Sequence, residues 1–96
     1  MKRIEEIKGI LNKNKSILKE KFNIEKIGIF GSYAREEQVE ESDLDMFIEY
    51  SKPLGLKFID LINFLEKILD MKVDLYSDYI LQSKFAHNII KDVIYV

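Results

Sequence analysis

Residues 24–50, IEKIGIFGSYAREEQVEESDLDMFIEY, contain the pattern that decides the fold. Ile24–Phe30 is short, rich in β-branched residues and followed by Gly31, which is typical of a buried strand. Asp43–Tyr50 alternates with a period of two, which predicts a second strand with one face toward the core. Leu44, Met46 and Ile48 occupy the core face, and Asp43, Asp45, Phe47 and Glu49 the opposite one. Between the strands, Ser32–Glu41 predicts a helical turn followed by an acidic stretch.

The flanking segments predict helices around this pair of strands. Before it, apolar residues recur at helical spacing from Lys2 to about Lys21. The predicted apolar stripe consists of Ile4, Ile7, Leu11, Ile17 and Leu18. After it, a turn at 52–55 precedes a second helix over residues 56–69, with its stripe on Phe58, Ile62, Leu65 and Leu69.

The C-terminal third predicts a third strand over Val73–Tyr76, which carries Asp74, and a helix over residues 79–91. Residues 93–96 fit either a last strand or a frayed end. The order of elements indicates a small sheet covered by helices, an α/β or α+β fold forming a single domain over residues 1–96.

Composition excludes several classes of protein. The 96 residues include 15 basic and 17 acidic side chains, which lack the positive surplus that a nucleic-acid polymer would require. No apolar run approaches the ~20 residues of a membrane span. The absence of Cys excludes disulfides, a thiolate nucleophile and a cysteine zinc site, and the single His excludes any site that needs two imidazoles. We therefore expect a cytoplasmic protein that binds neither nucleic acid directly nor a membrane.

Three aspartates form the first candidate site. Asp43 and Asp45 lie two residues apart on a predicted strand, so their side chains share one side, with Cα atoms about 6.5 Å apart. Carboxylates without His or Cys select Mg²⁺, or alternatively Mn²⁺, over zinc. If the strand carrying Asp74 is a neighbour with a matching face, three carboxylates converge. Such a group suits two metal ions in phosphoryl transfer.

Gly31 and Ser32 form the second candidate site, because they follow a strand and open a turn. A glycine permits close backbone approach, and free N–H groups with the Ser32 hydroxyl can hold a phosphate. Each part alone is commonly structural: a Gly-Ser pair is usually a turn, and Asp-x-Asp is usually a solvated face. The combination favours a phosphate cradle beside a metal site, and hence nucleoside triphosphate chemistry.

Gly31-Ser32-Tyr33-Ala34-Arg35, a six-residue spacer and Ser42-Asp43-Leu44-Asp45 resemble the signature of the minimal nucleotidyltransferases, small members of the DNA polymerase β-like superfamily. The resemblance implies that family's fold and a set of site residues. Asp43, Asp45 and Asp74 would be catalytic and would ligate two Mg²⁺ ions; Gly31, Ser32, Arg35 and Ser42 would bind the nucleotide or support its site. Two positions depart from the family, which usually has Gly at the place of Glu36 and commonly has one in the segment Leu69–Lys72.

The resemblance also implies a function. Short members of the family are antitoxins that transfer AMP from ATP to a tyrosine of a partner HEPN-domain toxin, with which they can form a hetero-oligomer. The predicted elements use all 96 residues, which leaves no acceptor-binding domain and agrees with a separate acceptor. Two alternatives stay open: a catalytic subunit that nucleotidylates a small molecule, and a non-catalytic antitoxin that neutralises its partner by binding alone.

Overall fold

The computed structural model describes residues 2–96, and within this range four strands form one mixed sheet. The strands are β1 (Ile24–Phe30), β2 (Leu44–Tyr50), β3 (Val73–Ser77) and β4 (Ile94–Tyr95). Their order across the sheet is β3-β2-β1-β4. β1 pairs antiparallel with both β2 and β4, whereas β2 and β3 run parallel. The three strands predicted from the sequence are confirmed, and the final residues adopt the strand alternative.

The predicted N-terminal helix is interrupted, which the periodicity did not show. Helix α1 spans Ile4–Lys13 and α2 spans Lys15–Phe22. Asn14 separates them with φ −104° and ψ 10°, and its side-chain amide donates to the carbonyl of Ile10 at 2.8 Å. The break changes the phase of the apolar stripe: Leu18 is buried, but Ile17 is 45% exposed. The prediction of Ile17 as a core residue was therefore wrong.

Helix α3 spans Lys57–Leu69, close to the predicted 56–69. Its buried residues are Leu61, Leu65 and Leu69. The predicted stripe was rotated slightly from this face, since Phe58 and Ile62 are only half-buried. A turn at residues 55–56 lies between β2 and α3. The buried face of α3 then packs in the hydrophobic core.

The predicted helix over 79–91 was wrong as a continuous element. A 3₁₀ helix covers Asp78–Gln82, and helix α4 begins only at Ala86 and ends at Asp92. Ser83 lies between them in extended conformation, with φ −82° and ψ 170°. Its hydroxyl donates a hydrogen bond to the carbonyl of Ile80 at 2.7 Å. This contact lies at the C-terminal end of the 3₁₀ helix, where the chain turns before α4.

The sheet is covered on both faces. The larger core lies between one face and helices α1, α2 and α3, and is formed around Ile7, Leu11, Leu18, Phe22, Ile29, Leu44, Met46, Ile48, Leu61 and Leu65. On the opposite face a smaller cluster contains Phe30, Phe47 and Ile89, with Ile80, Leu81 and Val93 packed against it. Among residues 2–96, no helix has the length and apolar character needed to cross a bilayer. The smaller cluster bears on the candidate site, because Asp45 and Asp74 lie on the same face of the sheet.

Candidate active site

Asp45 and Asp74 lie side by side on adjacent strands. They are direct register partners in the parallel pairing of β2 and β3, and Phe30 is the partner of Asp45 on β1. Side chains alternate along a strand, so both aspartates point away from the larger core that receives Leu44 and Met46. The expectation that the strand of Asp74 is a neighbour with a matching face is confirmed.

The electrostatics of Asp45 reflect this crowding. Its pKa is raised from 3.8 to about 6, first because burial disfavours the charged form and then because the carboxylates of Asp74 and Asp43 repel a further negative charge. A hydrogen bond with Asp74 acts in the same direction, and Arg35 partly offsets these effects. The paired carboxylates are therefore a site of concentrated negative potential.

Asp43 and Ser42 lie just before β2, at the edge of this site. Asp43 contributes to the raised pKa of Asp45 and also to that of the buried phenol Tyr33, where burial is the larger cause. Both residues line a neighbouring cavity of about 380 Å³ that also receives Tyr33 and Lys72. The Ser42 hydroxyl accepts a hydrogen bond from the backbone N–H of Val39 at 3.0 Å, which orders the end of the acidic stretch.

Gly31 lies in close contact with the carboxylate of Asp45. Its φ of +75° lies in the left-handed region, and a Cβ built there would fall on Oδ2 of Asp45. The following residues form the predicted helical turn: the N–H of Arg35 donates to the carbonyl of Gly31 at 3.1 Å, and that of Glu37 to the carbonyl of Ser32 at 2.8 Å. Gly31 is therefore required by the position of the Asp45 carboxylate as well as by the turn.

Arg35 connects the turn to helix α4. Its Nε bonds Oε1 of Glu37 at 2.9 Å, and its Nη1 lies 3.6 Å from Oδ2 of Asp92. The guanidinium is exposed and lies at the rim of the cavity that contains Asp45. Its positive charge acts to lower the pKa of Asp45, against the effects of burial and of the neighbouring carboxylates.

Glu36 and one residue of the segment Leu69–Lys72, Asp70, share a backbone conformation. Glu36 has φ +57° and Asp70 has φ +52°, both in the left-handed region that glycine adopts without strain. Asp70 is the C-cap of α3. A glycine preference at these positions thus has a backbone cause, and the Glu36 side chain is exposed rather than directed into a buried site.

One cavity, here called the site cavity, brings several of the predicted residues together. It encloses about 320 Å³ and is lined by Phe30, Gly31, Arg35, Asp45, Tyr76, Ile80, Phe85, Asn88 and Ile89. Sequence reasoning identified Gly31, Arg35 and Asp45 but missed the others. Tyr76 could have been found, because it lies two residues after Asp74 and so shares its face; Phe85 and Asn88 depend on the unpredicted start of α4.

The donor chemistry of the site fits a hard divalent cation, since its candidate ligands are carboxylate oxygens. Within residues 2–96, however, no group of three or more carboxylate, imidazole or thiolate side chains is arranged to hold a metal ion by itself. Mg²⁺ in nucleotide-dependent enzymes is usually held by one or two carboxylates together with substrate phosphates and water. The pair Asp45 and Asp74 meets that requirement.

Comparisons with known proteins agree with this geometry. Residues 11–96 match the family described as "Nucleotidyltransferase domain". A Methanocaldococcus jannaschii protein named "Putative protein adenylyltransferase MJ1217" is 48% identical over the full length of both chains. The "Protein adenylyltransferase MntA" of Thermococcus cleftensis is 42% identical, over 97% of this chain and 95% of its own. This chain therefore belongs to the nucleotidyltransferase family, as its signature indicated.

Solved structures share the fold. A structure described as "putative minimal nucleotidyltransferase" superposes with a TM-score of 0.71 at 24% identity, covering 92% of this chain and 93% of the other. A toxin–antitoxin crystal structure with AMP-PNP gives a TM-score of 0.63 at 25% identity, covering 88% and 72%. The structure of a tri-AMPylated Shewanella oneidensis HEPN toxin with its MNT antitoxin gives 0.54 at 23%, covering 88% and 68%. The predicted nucleotidyltransferase fold is confirmed.

Proposed function

We propose that this chain is a protein adenylyltransferase that acts as an antitoxin, transferring AMP from ATP to a tyrosine hydroxyl of a HEPN-domain toxin. The observation that carries the proposal is the register pairing of Asp45 and Asp74 in contact with the turn of Gly31. The names of the two archaeal relatives support transfer to a protein. The structures of toxin–antitoxin complexes support the kind of partner.

The reaction divides between two parts of the site. The triphosphate would lie against the turn of Gly31 and Ser32, with Arg35 at the rim as a cation for the phosphates. The acceptor oxygen bonds to the α-phosphorus, the bond from that phosphorus to the bridging oxygen breaks, pyrophosphate leaves, and the proton of the hydroxyl passes to water. Positioning of the two reactants is the main contribution of the protein in phosphoryl transfer.

Asp45 and Asp74 would hold Mg²⁺, with Asp43 adding negative charge from the start of β2. Bound Mg²⁺ would neutralise charge that develops on the phosphate oxygens. We propose two ions, and Mn²⁺ as a substitute, since both prefer carboxylate oxygens. The raised pKa of Asp45 means that the pair carries an electrostatic cost, which a divalent cation would relieve.

The test is direct transfer to the partner. The protein is incubated with Mg²⁺, a HEPN-domain protein from the same genome, and ATP, GTP, CTP or UTP, and intact masses are recorded. We expect mass additions of AMP on the partner, mapped to a tyrosine, and no addition with EDTA. Asp45→Asn should abolish transfer, whereas Glu49→Gln, an exposed carboxylate on the same strand, should leave it unchanged.

Three results would contradict the proposal. Transfer by the double variant Asp43→Asn/Asp45→Asn at the wild-type rate would remove the carboxylates from the mechanism. Rapid transfer to a free small molecule with no partner present would favour the small-molecule alternative. Neutralisation of the toxin by Asp45→Asn, with no mass addition, would favour an antitoxin that acts by binding alone.

A further inference from the structure

The site cavity has two chemically different ends. Gly31, Arg35 and Asp45 form a polar end that fits phosphates and a cation. The remaining lining, here called the apolar end, is apolar and aromatic: Phe30 and Tyr76 adjoin Asp45, and Ile80, Phe85 and Ile89 complete it. Asn88 is the one uncharged amide side chain among the cavity's lining residues in the described part of the chain. Phosphoryl transfer itself uses only the polar end, so the apolar end is unexplained by the reaction.

The apolar end is held in a fixed geometry. Phe85 is 56% exposed, yet its backbone N–H donates to the Ser83 hydroxyl at 3.2 Å. The same hydroxyl bonds the carbonyl of Ile80, and the carbonyl of Ser83 accepts the N–H of Ala86 at 3.1 Å. A large aromatic side chain kept in solvent on such an ordered turn presents its surface to a ligand rather than to a core.

Helix α4 directs Phe85 and Asn88 to the same side. Phe85, Asn88 and Ile89 are spaced i, i+3 and i+4, which places them on one helical face. Ile89 is buried against Phe30 and Phe47, so this face is turned toward the sheet. The face is further tied to the polar end, because Asp92, one turn after Asn88, pairs with Arg35.

We propose that the apolar end of the site cavity holds the adenine base of the nucleotide, with Phe85 and Tyr76 against the ring and Asn88 reading its edge. The inference rests on the proposed function, and it attributes a preference for ATP over GTP to these side chains. Pockets for small ligands combine apolar walls with a few placed polar groups in this way. A side-chain amide offers a donor and an acceptor, matching adenine N7 and N6, whereas guanine presents two acceptors at the same positions.

Binding measurements on the intact protein with Mg²⁺ separate the two ends of the cavity. The probes are ATP, GTP and inorganic tripolyphosphate, measured by calorimetry. Phe85→Ala should weaken ATP binding about tenfold, the scale of one lost base–aromatic stack, and leave tripolyphosphate binding unchanged. Phe85→Tyr keeps the ring and should retain affinity. Asn88→Ala should weaken ATP but not GTP, so that the preference for ATP falls about tenfold toward none.

Two matched controls lie outside the site cavity. Tyr79→Ala removes a more exposed aromatic side chain from the adjoining 3₁₀ helix, and Asn63→Ala removes an exposed amide from α3. Neither should change binding of any of the three probes. The thermal midpoint of each variant shows whether the fold is retained, since all four positions are exposed.

The outcomes separate this inference from the proposed function. Wild-type ATP affinity in both Phe85→Ala and Asn88→Ala would overturn the base site even if transfer to the partner proceeds. Loss of partner association in Phe85→Ala with unchanged ATP affinity would assign the apolar end to the protein partner and overturn it equally. A wild-type protein that prefers ATP through these residues yet never modifies its partner would refute the proposed function and leave the base site standing.

Discussion

Gly31, which directly follows β1, and Asp45 on β2 form a coupled pair of residues. The positive φ of Gly31 shapes the turn, and the absence of a Cβ leaves the space that the Asp45 carboxylate occupies. From the sequence, the role predicted for this glycine was only to let the backbone approach a phosphate. In the structure the first group that a side chain at this position would displace is a carboxylate of the protein itself, so turn and carboxylate depend on each other.

Replacing Gly31 by Ala should therefore damage both stability and activity. An L-residue in the left-handed region costs about 1–2 kcal/mol, and the added methyl must push Asp45 away from Asp74. Gly55→Ala is the matched control, because Gly55 has φ +57° with nothing within 4 Å of the added Cβ. We expect urea unfolding to show a similar backbone cost in both variants, with AMP transfer lost only in Gly31→Ala. Transfer at the wild-type rate in Gly31→Ala would contradict the coupling.

The raised pKa of Asp45 predicts a pH dependence of the metal-free protein. The folded state binds this proton more tightly than the unfolded chain, so the contribution is fully present below pH 3.8 and is lost as pH rises through about 6. Removing the charge with Asp45→Asn should make the protein more stable than wild type at pH 7, by about 1–2 kcal/mol after allowance for solvent screening. The advantage should shrink toward pH 4.

Urea unfolding in EDTA between pH 4 and pH 7 measures this difference. Glu49→Gln, on the exposed part of β2, controls for the general effect of removing a carboxylate. A difference between Asp45→Asn and wild type that is constant over this pH range would show that the paired carboxylates do not strain the fold.

At the level of elements, the strands were predictable and the helix ends were not. The β-branched run of Ile24–Phe30 and the period-two pattern of Asp43–Tyr50 predicted these strands, and the structure has strands at both places. The break at Asn14 depends on a side-chain hydrogen bond to Ile10, which leaves no mark in apolar periodicity. The split of 79–91 likewise depends on the hydroxyl of Ser83.

The same distinction explains what could be predicted of the site. Gly31, Arg35 and Asp45 lie in one continuous β1–turn–β2 segment, so their spacing alone indicated a shared location. Asp74 joined them through the parallel pairing of two strands far apart in sequence. Phe85 and Asn88 reach the cavity only because α4 packs through Ile89 onto the second face of the sheet. A tertiary contact of this kind has no local signal in the sequence.

Strand β1 also contains a glycine that a neighbouring side chain requires. Gly28 is the register partner of Phe47, and a Cβ there would fall on the Phe47 ring. That ring is buried and packs with Phe30 at 6.1 Å and edge-on with Tyr95 at 6.0 Å between centroids. Gly28→Ala should overpack this cluster and cost about 1–3 kcal/mol of unfolding free energy in urea.

Gly9→Ala is the opposite case on the first helix. Gly9 lies within α1, and nothing lies within 4 Å of an added Cβ, so the substitution should stabilise by about 0.5–1 kcal/mol through helix propensity. Gly28→Ala and Gly9→Ala should thus shift the midpoint in opposite directions. A Gly28→Ala variant as stable as wild type would show that the Phe47 ring can move at no cost.

At the scale of the whole molecule, negative charge is concentrated beside the site although the net charge is only −2. Glu36, Glu37, Glu40 and Glu41 are exposed on the segment between Gly31 and Asp43. Exposed charges of one sign mainly steer encounter, and their effect is screened beyond about 8–10 Å at physiological salt. Glu40 and Glu41 line the cavity that also contains Ser42 and Asp43, so the acceptor of the proposed reaction would approach the paired carboxylates beside this acidic segment.

We therefore expect a basic surface on the proposed HEPN partner, and an association rate that falls as salt rises. Glu40→Lys/Glu41→Lys should slow association about tenfold at low salt and flatten its salt dependence, while transfer at saturating partner concentration changes little. Glu5→Lys/Glu6→Lys makes the same charge change on exposed positions in the first turn of α1 and should have a smaller effect. Stopped-flow mixing at 20–300 mM NaCl, chosen to span roughly 20 to 5 Å of screening length, measures both rates. Equal rates for the two double variants at every salt concentration would contradict this expectation, because the position of the charge would then have no effect on association.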